Sequence, residues 1–472
     1  MNKLNTTALA VILLTAGQFA AAQTAVVQTK QYADGGFYEG TFKGGLQHGT
    51  GTYRLPNGYE YSGEWVEGEI RGQGTATFPN GSVFEGNFEQ GKPSGQGMIT
   101  YADGSNYTGN WVDGKINGDG VATYSNGIVY KGQFKDAKHD GVGILRAENG
   151  FKYDGEWVGG AKQGKGTVTY PDGAVYVGQM QSDERNGFGT LTMPGGLVLE
   201  GQWINGQLNG KGTLKQVNGD VFEGTLTDGK RQGKGTVKYS NGDVYEGDFD
   251  RDKRHGTGSF TGSDGYVYVG SWVNGAIEGK GKVTYPDGSI YEGDFKNDVA
   301  DGIGKIIYPD GATYEGEWKA GVIDGQGKAT YANGLVYEGG FVNAKNAGYG
   351  VMTFGDGYRY EGNWVDGRRE GQGKASYADG TLYTGGFNLG QRSGKGEIVM
   401  ADGFKYTGEW LEGEIHGAGI ATYSNGDVYE GNFAAGRRQG QGTMRYNSGT
   451  VASGTWNEGQ LEQGTATIHE QE

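Results

Sequence analysis

Residues 314–334 read YEGEWKAGVIDGQGKATYANG, and a version of this stretch returns every 23 residues along the chain. With Tyr314 as position 0, steps of 23 residues in both directions give nineteen copies without an insertion. Glycine fills position +2 in every copy, and positions +11, +13 and +20 in eighteen of them. A period this strict predicts stacked repeats rather than separate globular domains. The residues at position 0 are Tyr38, Tyr61, Phe84, Tyr107, Tyr130, Tyr153, Tyr176, Leu199, Phe222, Tyr245, Tyr268, Tyr291, Tyr314, Tyr337, Tyr360, Tyr383, Tyr406, Tyr429 and Ala452.

Each copy is predicted to form a β-hairpin, because side-chain types alternate along both of its halves. Tyr314, Gly316 and Trp318 fall on one face of a strand, and the two glutamates between them fall on the other. Residues 308–312, YPDGA, place proline, aspartate and glycine in the order of a type I turn closed by a left-handed glycine bulge. The sequence therefore predicts an all-β fold, an elongated antiparallel β-meander ribbon of about nineteen 23-residue β-hairpin repeats.

Two side chains in each copy vary in size together, which suggests that they touch. Where position +4 is tryptophan, position +15 is usually alanine, as in Trp318 and Ala329. Where +4 is phenylalanine, +15 is larger, as in Phe341 and Met352. Close packing demands such compensation, since voids and overpacking each cost on the order of 1 to 3 kcal/mol. We therefore expect +4 and +15 to be neighbours across the hairpin, and the aromatic rings to form the core.

Tryptophan and phenylalanine alternate at position +4, which doubles the period to 46 residues. The alternation slips where Leu226 and Phe249 follow each other, and Met180 also occupies an aromatic position nearby. We expect the least regular part of the array at about residues 176–265, with a bend or a looser twist near Gly233 to Gly265. All nine tryptophans are predicted core residues: Trp65, Trp111, Trp157, Trp203, Trp272, Trp318, Trp364, Trp410 and Trp456.

The N-terminal residues have the form of a secretory signal peptide. Lys3 precedes an apolar run from Ala8 to Ala16, and a small-residue cleavage site follows Ala22. The apolar run is too short to span a bilayer, so we predict an exported protein, periplasmic or secreted, without a transmembrane segment. The predicted divisions are residues 1–22, signal peptide; residues 23–37, N-terminal half-repeat cap; residues 38–451, repeat array; and residues 452–472, degenerate final repeat and C-terminal cap.

The repeated motif resembles a known family. The segment YEGEW, the GxG pair that follows it and the closing DG or NG are similar to the MORN repeat, which is found in junctophilins, in plant phosphatidylinositol-phosphate kinases and in some lysine methyltransferases. The resemblance covers essentially the whole chain after the predicted signal peptide. It implies a shared scaffold and no particular chemistry. Since MORN proteins have often been proposed to bind phospholipid, the resemblance also implies that function.

Composition and charge exclude several classes of function. The chain has no cysteine, which excludes disulfides and thiolate metal sites. The formal net charge of -15 argues against nucleic acid as a partner and mildly against anionic membrane surfaces. Glycine accounts for 98 residues, which fits rings packed on bare backbone and glycines with positive φ in turns.

No motif in the sequence carries enzyme chemistry. Residues 248–256, DFDRDKRHG, begin like a calcium loop, but Lys253 and Ser259 stand where that loop needs glycine and glutamate. We therefore predict no enzyme activity, no metal and no cofactor. Four of the five histidines are assigned to wide hairpin loops several repeats apart, so no two share a predicted site: His48, His139, His255 and His416, with His469 near the C-terminus.

Basic pairs recur at positions +8 and +9, which the pattern places in loops along one edge of the ribbon. They are predicted contacts for a partner or for lipid, with solvated loop tips as the alternative. The residues are Lys230, Arg231, Lys253, Arg254, Arg368, Arg369, Arg437 and Arg438.

The sequence favours a non-enzymatic exported scaffold for protein association. A protein partner or a homodimer is expected to cover apolar surface that a single sheet leaves open. The alternative is the binding of envelope lipid or cell-wall glycan by the ribbon edge or by a groove lined with tyrosines. The sequence does not identify the partner.

Overall fold

The computed structural model of the protein describes residues 26–470. The predicted signal peptide, residues 1–22, and its cleavage site lie outside the described residues. Two compact units are distinguished: one comprises the described residues up to Gly196 together with Gln202–Gln207, and the other comprises Leu197–Gly201 and the described residues from Leu208 onward. Every element is a strand, and residues 26–470 contain no helix.

The first unit contains fifteen complete strands, and β16 spans the division between the units. The strands are β1 Gln28–Gln31, β2 Phe37–Lys43, β3 Leu46–Arg54, β4 Glu60–Val66, β5 Glu69–Thr77, β6 Val83–Glu89, β7 Lys92–Thr100, β8 Asn106–Val112, β9 Lys115–Thr123, β10 Val129–Lys135, β11 Lys138–Arg146, β12 Lys152–Val158, β13 Ala161–Thr169, β14 Val175–Gln181, β15 Glu184–Thr192 and β16 Val198–Ile204.

The second unit contains the remaining strands, except that Gln207, the first residue of β17, belongs to the first unit. They are β17 Gln207–Lys215, β18 Val221–Thr227, β19 Lys230–Lys238, β20 Val244–Asp250, β21 Lys253–Thr261, β22 Val267–Val273, β23 Ala276–Thr284, β24 Ile290–Lys296, β25 Val299–Ile307, β26 Thr313–Lys319, β27 Val322–Thr330, β28 Val336–Val342, β29 Lys345–Thr353, β30 Arg359–Val365, β31 Arg368–Ser376, β32 Leu382–Asn388, β33 Gln391–Val399, β34 Lys405–Leu411, β35 Glu414–Thr422, β36 Val428–Ala434, β37 Arg437–Arg445, β38 Thr450–Asn457, β39 Gln460–Leu461 and β40 Thr467–Glu470.

Successive strands pair antiparallel within each unit, which confirms the predicted all-β meander of hairpin repeats. Each copy contributes one strand of seven residues and one of nine. The long strand pairs on one side with the short strand of its own copy and on the other side with the short strand of the next copy. Within each unit, a long strand of this kind therefore serves two hairpins, and the copies join into a ladder of hydrogen bonds.

The pairing register corrects the expected contact between positions +4 and +15. Tyr314 at position 0, and not Trp318, faces Ala329 at +15. Trp318 faces Ile323 at +9 instead, because a bulge follows the pair formed by Gly316 and Gly327. The covariation in size at +4 and +15 therefore does not reflect a direct cross-strand pair.

The hairpins close by two kinds of turn. The turn at residues 308–312 forms as predicted, since the Tyr308 N–H donates to the Ala312 carbonyl at 2.8 Å and Gly311 has a φ of 84°. The other turn has only two residues, +6 and +7, and both have positive φ, as Asn297 at 49° and Asp298 at 69° show. Positive φ at both central residues is the mark of a type I′ hairpin turn. Positions +8 to +10 consequently lie on strands rather than in wide loops.

A row of glycines crosses each unit at right angles to its strands. Positions +2 and +13 pair with each other within a copy and with the next copy, as in Gly304, Gly316, Gly327 and Gly339. A Cβ built on Gly327 would lie 2.4 Å from the Tyr314 hydroxyl oxygen and 2.5 Å from its ring, so the ring rests on the bare backbone. Only glycine leaves room for a ring in this position.

The core is a ladder of aromatic rings. Tyr314 makes edge-to-face contacts with Trp318 of its own copy and with Phe341 of the next, at centroid distances of 5.6 and 5.1 Å. The position-0 ring is almost fully buried by these neighbours and by the glycine row. Such pairs contribute about 0.5 to 1.5 kcal/mol each beyond burial of area. The ladder therefore links each copy to the next.

Copies seven, nine and ten keep the standard pairing register. Gly233 faces Phe249 and Gly256 faces Trp272, as in the regular copies. In place of rings, this part of the chain buries Met180.

The first and last copies are incomplete. At the N-terminus, β1 pairs with β2 from Gln28 to Gln31. At the C-terminus, β38 pairs with both β39 and β40, and the Glu462 N–H donates to the Thr455 carbonyl where those two strands are interrupted. Short or interrupted edge strands limit pairing with other chains.

The tight turn predicts a stabilising substitution. Leu389 occupies position +6 with a φ of 48°, and its side chain is 65 % exposed. A left-handed conformation costs an ordinary residue roughly 1 to 2 kcal/mol, while asparagine tolerates it. We expect Leu389→Asn to slow hydrogen exchange of β32 and β33.

The matched control is Asn343→Leu, because Asn343 occupies the same position with the same φ of 48°. It should accelerate exchange of β28 and β29 by a similar factor. Equal exchange rates in the wild type and both variants would show that the turn conformation is not strained.

Candidate functional site

The sheet has two chemically different faces. Positions 0, +4, +9 and +15 form the aromatic face, and positions +1, +3, +12 and +14 form the polar face. The pairing register fixes this division, since Tyr314 faces Ala329 while Glu315 faces Lys328. Each face therefore offers a different kind of surface to a ligand or partner.

The tryptophans of the aromatic face are packed inside the repeats. The indole N–H of each donates to the carbonyl of the glycine at +13 in the preceding copy, as Trp157 does to Gly143 at 3.1 Å. Eight of the nine are buried, and Trp318 is half-buried. These rings are therefore not free for ligands. The nine acceptors are Gly51, Gly97, Gly143, Gly189, Gly258, Gly304, Gly350, Gly396 and Gly442.

The basic pairs divide into one exposed and one half-buried side chain each. The members at +8 begin a long strand and are exposed: Lys230, Lys253, Arg368 and Arg437. The members at +9 are half-buried on the aromatic face: Arg231, Arg254, Arg369 and Arg438. The structure therefore places one cation of each pair at the surface rather than two in a loop.

The arginines at +9 bind within the chain. The Arg254 guanidinium lies 4.2 Å from the centroid of the Trp272 ring and donates to the Gly275 carbonyl at 3.0 Å. Arg438 repeats this arrangement on Trp456, 4.3 Å away. A guanidinium over a tryptophan contributes about 0.5 to 2 kcal/mol, depending on its desolvation. Alternation within a copy does not reveal this contact, because the ring belongs to the next copy.

The histidines lie on strands, and the ring of His139 packs against aromatic rings of the core. Its ring stacks on Tyr130 at 3.6 Å and meets Trp157 edge-on at 4.9 Å. The Tyr124 hydroxyl lies 2.8 Å from His139 Nε2. Burial lowers the pKa of His139 to about 4. A neutral imidazole therefore takes the position that arginine holds in other copies.

A chain of shallow hollows follows the glycine row on the polar face of the second unit. Backbone at positions +2 and +13 forms the floor, and side chains at +1, +3, +12 and +14 form the walls. We call these hollows the polar groove. Three of them share lining residues: the hollows of 700 and 500 Å³ meet at Val269, and those of 500 and 790 Å³ meet at Ile303. A fourth hollow of 670 Å³ lies further along the row, beside Ile420.

The walls of the polar groove combine apolar side chains with ion pairs. Ile303 is 56 % exposed and Tyr349 is 60 % exposed. Lys280 and Asp294 form an ion pair at 2.7 Å across neighbouring strands, and this contact holds the pKa of the Asp294 carboxyl below its usual range. Since several of the charges are paired with each other, the groove presents apolar contacts between partly neutralised polar rims.

Metal ligands and tyrosine hydroxyls are two kinds of group that could carry chemistry. Between residues 26 and 470 no cluster of three potential metal ligands is found. Most core residues at position 0 are tyrosines, and burial raises the pKa of the Tyr314 hydroxyl to about 12. Such hydroxyls stay protonated at neutral pH and donate to backbone carbonyls, as Tyr314 does to Glu317 at 2.9 Å.

The comparison with family models agrees with the repeat seen in the structure. The MORN repeat model matches eighteen successive segments of the chain, which together cover most of it. The chain belongs to the MORN repeat family. The matched residues are 38–58, 61–83, 84–106, 107–129, 130–151, 153–175, 176–198, 200–221, 222–244, 245–265, 268–290, 291–313, 314–336, 337–357, 360–382, 383–404, 406–428 and 429–451.

Other comparisons add little to this assignment. No curated protein matches the chain. The G-box domain of the microcephaly protein CPAP is 17 % identical, with 48 % of this chain and 100 % of that chain covered and a TM-score of 0.19. The Drosophila melanogaster SAS-4 TCP domain, solved with a proline-rich motif of Ana2, is 16 % identical, with 46 % and 99 % covered and a TM-score of 0.19. Such scores support no argument about this MORN repeat protein.

No helix in the described part of the chain is long and apolar enough to cross a membrane.

The contacts of His139 predict a local dependence of stability on pH. The folded pKa of about 4 lies below the ordinary value of about 6.5, so the folded state favours the neutral ring. Stability should therefore fall as pH drops from about 6.5 towards 4, where the unfolded chain binds the proton first. We expect His139→Arg to remove this local loss, since arginine fits the same position in other copies.

The measurement is the hydrogen exchange of β11 and β12 at several pH values, corrected for intrinsic rates. The wild type should lose protection relative to His139→Arg as pH falls through this range. The same pH dependence in both proteins would contradict a buried neutral imidazole.

Proposed function

We propose that this MORN repeat protein is a non-enzymatic exported scaffold that binds an extended segment of a partner protein in the polar groove. The proposal has three parts: the mode of binding, the absence of catalysis and the export of the chain. Each rests on different residues.

The continuity of the polar groove carries the proposal. Hollows that share Val269 and Ile303 follow a straight row of paired glycines, so they offer a track rather than an enclosed pocket. Small-molecule sites usually bury most of their ligand in a closed cleft. A shallow track fits an extended chain that makes repeated contacts along its length.

The wall chemistry favours a polypeptide over lipid or glycan. Exposed Ile303 and Tyr349 supply apolar contacts, while ion pairs such as Lys305 with Glu315, at 3.3 Å, leave no uniform positive field for lipid phosphates. The surface cations at +8 are also partly paired, as Arg437 is with Glu458 at 3.5 Å. Apolar centres between polar rims are typical of protein interfaces.

The burial of the aromatic face bears on the expected homodimer. That expectation assumed apolar surface that a single sheet leaves open. The position-0 tyrosines, including Tyr314 and Tyr337, are already buried by their own chain. The proposal therefore commits to a different protein as the partner.

The absence of catalysis forms the second part of the proposal. His139 is fixed between aromatic rings, and the tyrosine hydroxyls of the core donate to backbone carbonyls. General acid or base catalysis needs a titrating group with access to a substrate. In the polar groove, carboxylates such as those of Asp294 and Glu315 are ion-paired with lysines.

Export forms the third part and depends on residues 1–22. The apolar run from Ala8 to Ala16 and the small residues up to Ala22 support cleavage after Ala22. We expect the mature chain to begin at Gln23, which N-terminal sequencing of protein from the cell envelope and medium would show. An intact Met1 in all fractions would contradict export.

A site-specific crosslink tests the groove. A photoreactive amino acid at position 303 should form an adduct with another polypeptide in cells, and the same amino acid at position 342 should not. Val342 is a matched control, because it is 52 % exposed and does not line the groove. Once the partner is identified from the adduct, Ile303→Lys should weaken its binding by at least about tenfold, or 1.4 kcal/mol.

Val342→Lys introduces the same charge outside the groove and should leave that affinity unchanged. Equal effects of the two lysine substitutions would show that charge, rather than the groove, governs binding. Equal adduct yields at positions 303 and 342 would also contradict the groove as the binding site.

A further inference from the structure

Three places on the aromatic face carry cations at position +9 in two consecutive copies. They are Lys162 with Arg185, Arg231 with Arg254, and Arg369 with Arg392. In each place, the copy that follows the first cation has a residue other than tryptophan at position +4. The copy that follows the second cation has tryptophan at that position. Because the three places share one register, residues at the same repeat positions can be compared directly among them.

In two of the places an aspartate at +7 of the next copy neutralises the first cation. Asp252 Oδ1 accepts from the backbone N–H of Arg231 at 2.9 Å and from its Nε at 3.4 Å. Asp183 Oδ1 accepts from the backbone N–H of Lys162 at 3.1 Å and from its Nζ at 2.9 Å. The internal carboxylate thus binds one backbone donor and one side-chain donor.

The third place has Gly390 where the others have aspartate. Arg369 keeps the same position there, since its Nη2 donates to the Gly390 carbonyl at 2.6 Å, as that of Arg231 donates to the Asp252 carbonyl at 2.7 Å. Its Nη1 donates to the Tyr358 hydroxyl. Among residues 26–470, no side chain accepts from its Nε or its backbone N–H, and no carboxylate forms an ion pair with it.

The second cation of this place is also unpaired. Arg392 lies 4.4 Å from the centroid of the Trp410 ring and has no ion pair with a carboxylate of the described chain. Both guanidinium groups act on Tyr358: burial raises the pKa of that hydroxyl, and Arg369 and Arg392 each oppose the rise. Two guanidinium groups therefore act on one hydroxyl and neither forms an ion pair, while the neighbouring carboxylate of Glu370 accepts from the Leu389 backbone N–H at 2.9 Å.

Space for an anion is present. No heavy atom lies within 4 Å of the Cβ position of Gly390. The half-buried ring of Tyr358 lies 5.9 Å from the Arg369 guanidinium and packs against the ring of Tyr377, with centroids 4.9 Å apart, so aromatic contact area lies beside Arg369. We call Arg369, Arg392, Gly390, Tyr358 and Tyr377 the open arginine site.

We propose that the open arginine site binds the side-chain carboxylate of an acidic polypeptide, which takes the place that Asp252 and Asp183 occupy in the sister sites. A carboxylate fits the site because an aspartate carboxylate occupies both sister sites. In each, it accepts from the backbone N–H and from the side chain of the first cation. Charge-assisted bonds to arginine are strong enough to orient a ligand. The site lies on the face opposite the polar groove and is independent of the function proposed for the groove.

The test uses Nε–H signals of arginine in NMR spectra of the full mature chain at constant ionic strength. The probe is a capped peptide of three aspartates separated by glycines, and the same peptide with asparagines is the neutral control. Sodium acetate is the free carboxylate. In the wild type we expect the aspartate peptide to shift the Arg369 signal and to leave Arg231 unmoved.

Two reciprocal variants make the test specific. Gly390→Asp supplies the missing carboxylate at a positive φ that Asp183, Asp252 and Asp298 already accept, so it should fold and weaken peptide binding by at least about tenfold. Asp252→Gly should open the sister site, so that the peptide now shifts the Arg231 signal.

Three results would overturn the proposal. Unchanged peptide binding by Gly390→Asp would show that the charge is bound elsewhere. A response to the asparagine peptide equal to that of the aspartate peptide would exclude a carboxylate site. Acetate binding as tight as the peptide would exclude a polypeptide as the source of the carboxylate.

Discussion

The packing of a tyrosine ring on bare glycine backbone is the interaction on which the rest of this structure depends. In each regular copy the position-0 ring covers the glycine at +13, which leaves no room for a Cβ, as Tyr314 does over Gly327. The ring then contacts the +4 ring of its own copy and that of the next. One contact therefore fixes the conformation of a copy and joins it to its neighbour, which a single two-stranded hairpin cannot achieve alone.

The same contact separates the two faces chemically. The rings of the aromatic face pack against one another. Further variation on this face is found at position +9, where arginine, histidine or isoleucine covers the ring of the next copy. On the polar face the glycine row leaves backbone open between paired charges, and this opening forms the groove. Both the polar groove and the open arginine site thus arise where the repeat lacks a side chain: at the glycine row in one case, and at Gly390 in the other.

The period alone predicted the fold class, and residues 308–312 predicted one of the two turns correctly. The other turn was not predicted, because a two-residue type I′ turn and a bulge of this size leave no mark in simple alternation. That error placed His139 and the arginines at +9 in loops and made Trp318 the partner of Ala329. The groove was not predicted either, since it depends on glycines of successive copies falling in one row, and hence on the register. The apolar Ile303 and Tyr349 at otherwise polar positions were the available signal.

A double-mutant cycle between Tyr314 and Gly327 tests the ring-on-glycine contact most directly. The three heavy atoms nearest to a Cβ at Gly327 all belong to the Tyr314 side chain, so removing that side chain should make room for it. Hydrogen exchange of β26 and β27 would report the local free energy of opening for the wild type, both single variants and the double variant. Gly327→Ala should cost about 1 to 3 kcal/mol in the wild type and much less beside Tyr314→Ala. An equal cost in both backgrounds would contradict the contact as the origin of the glycine row.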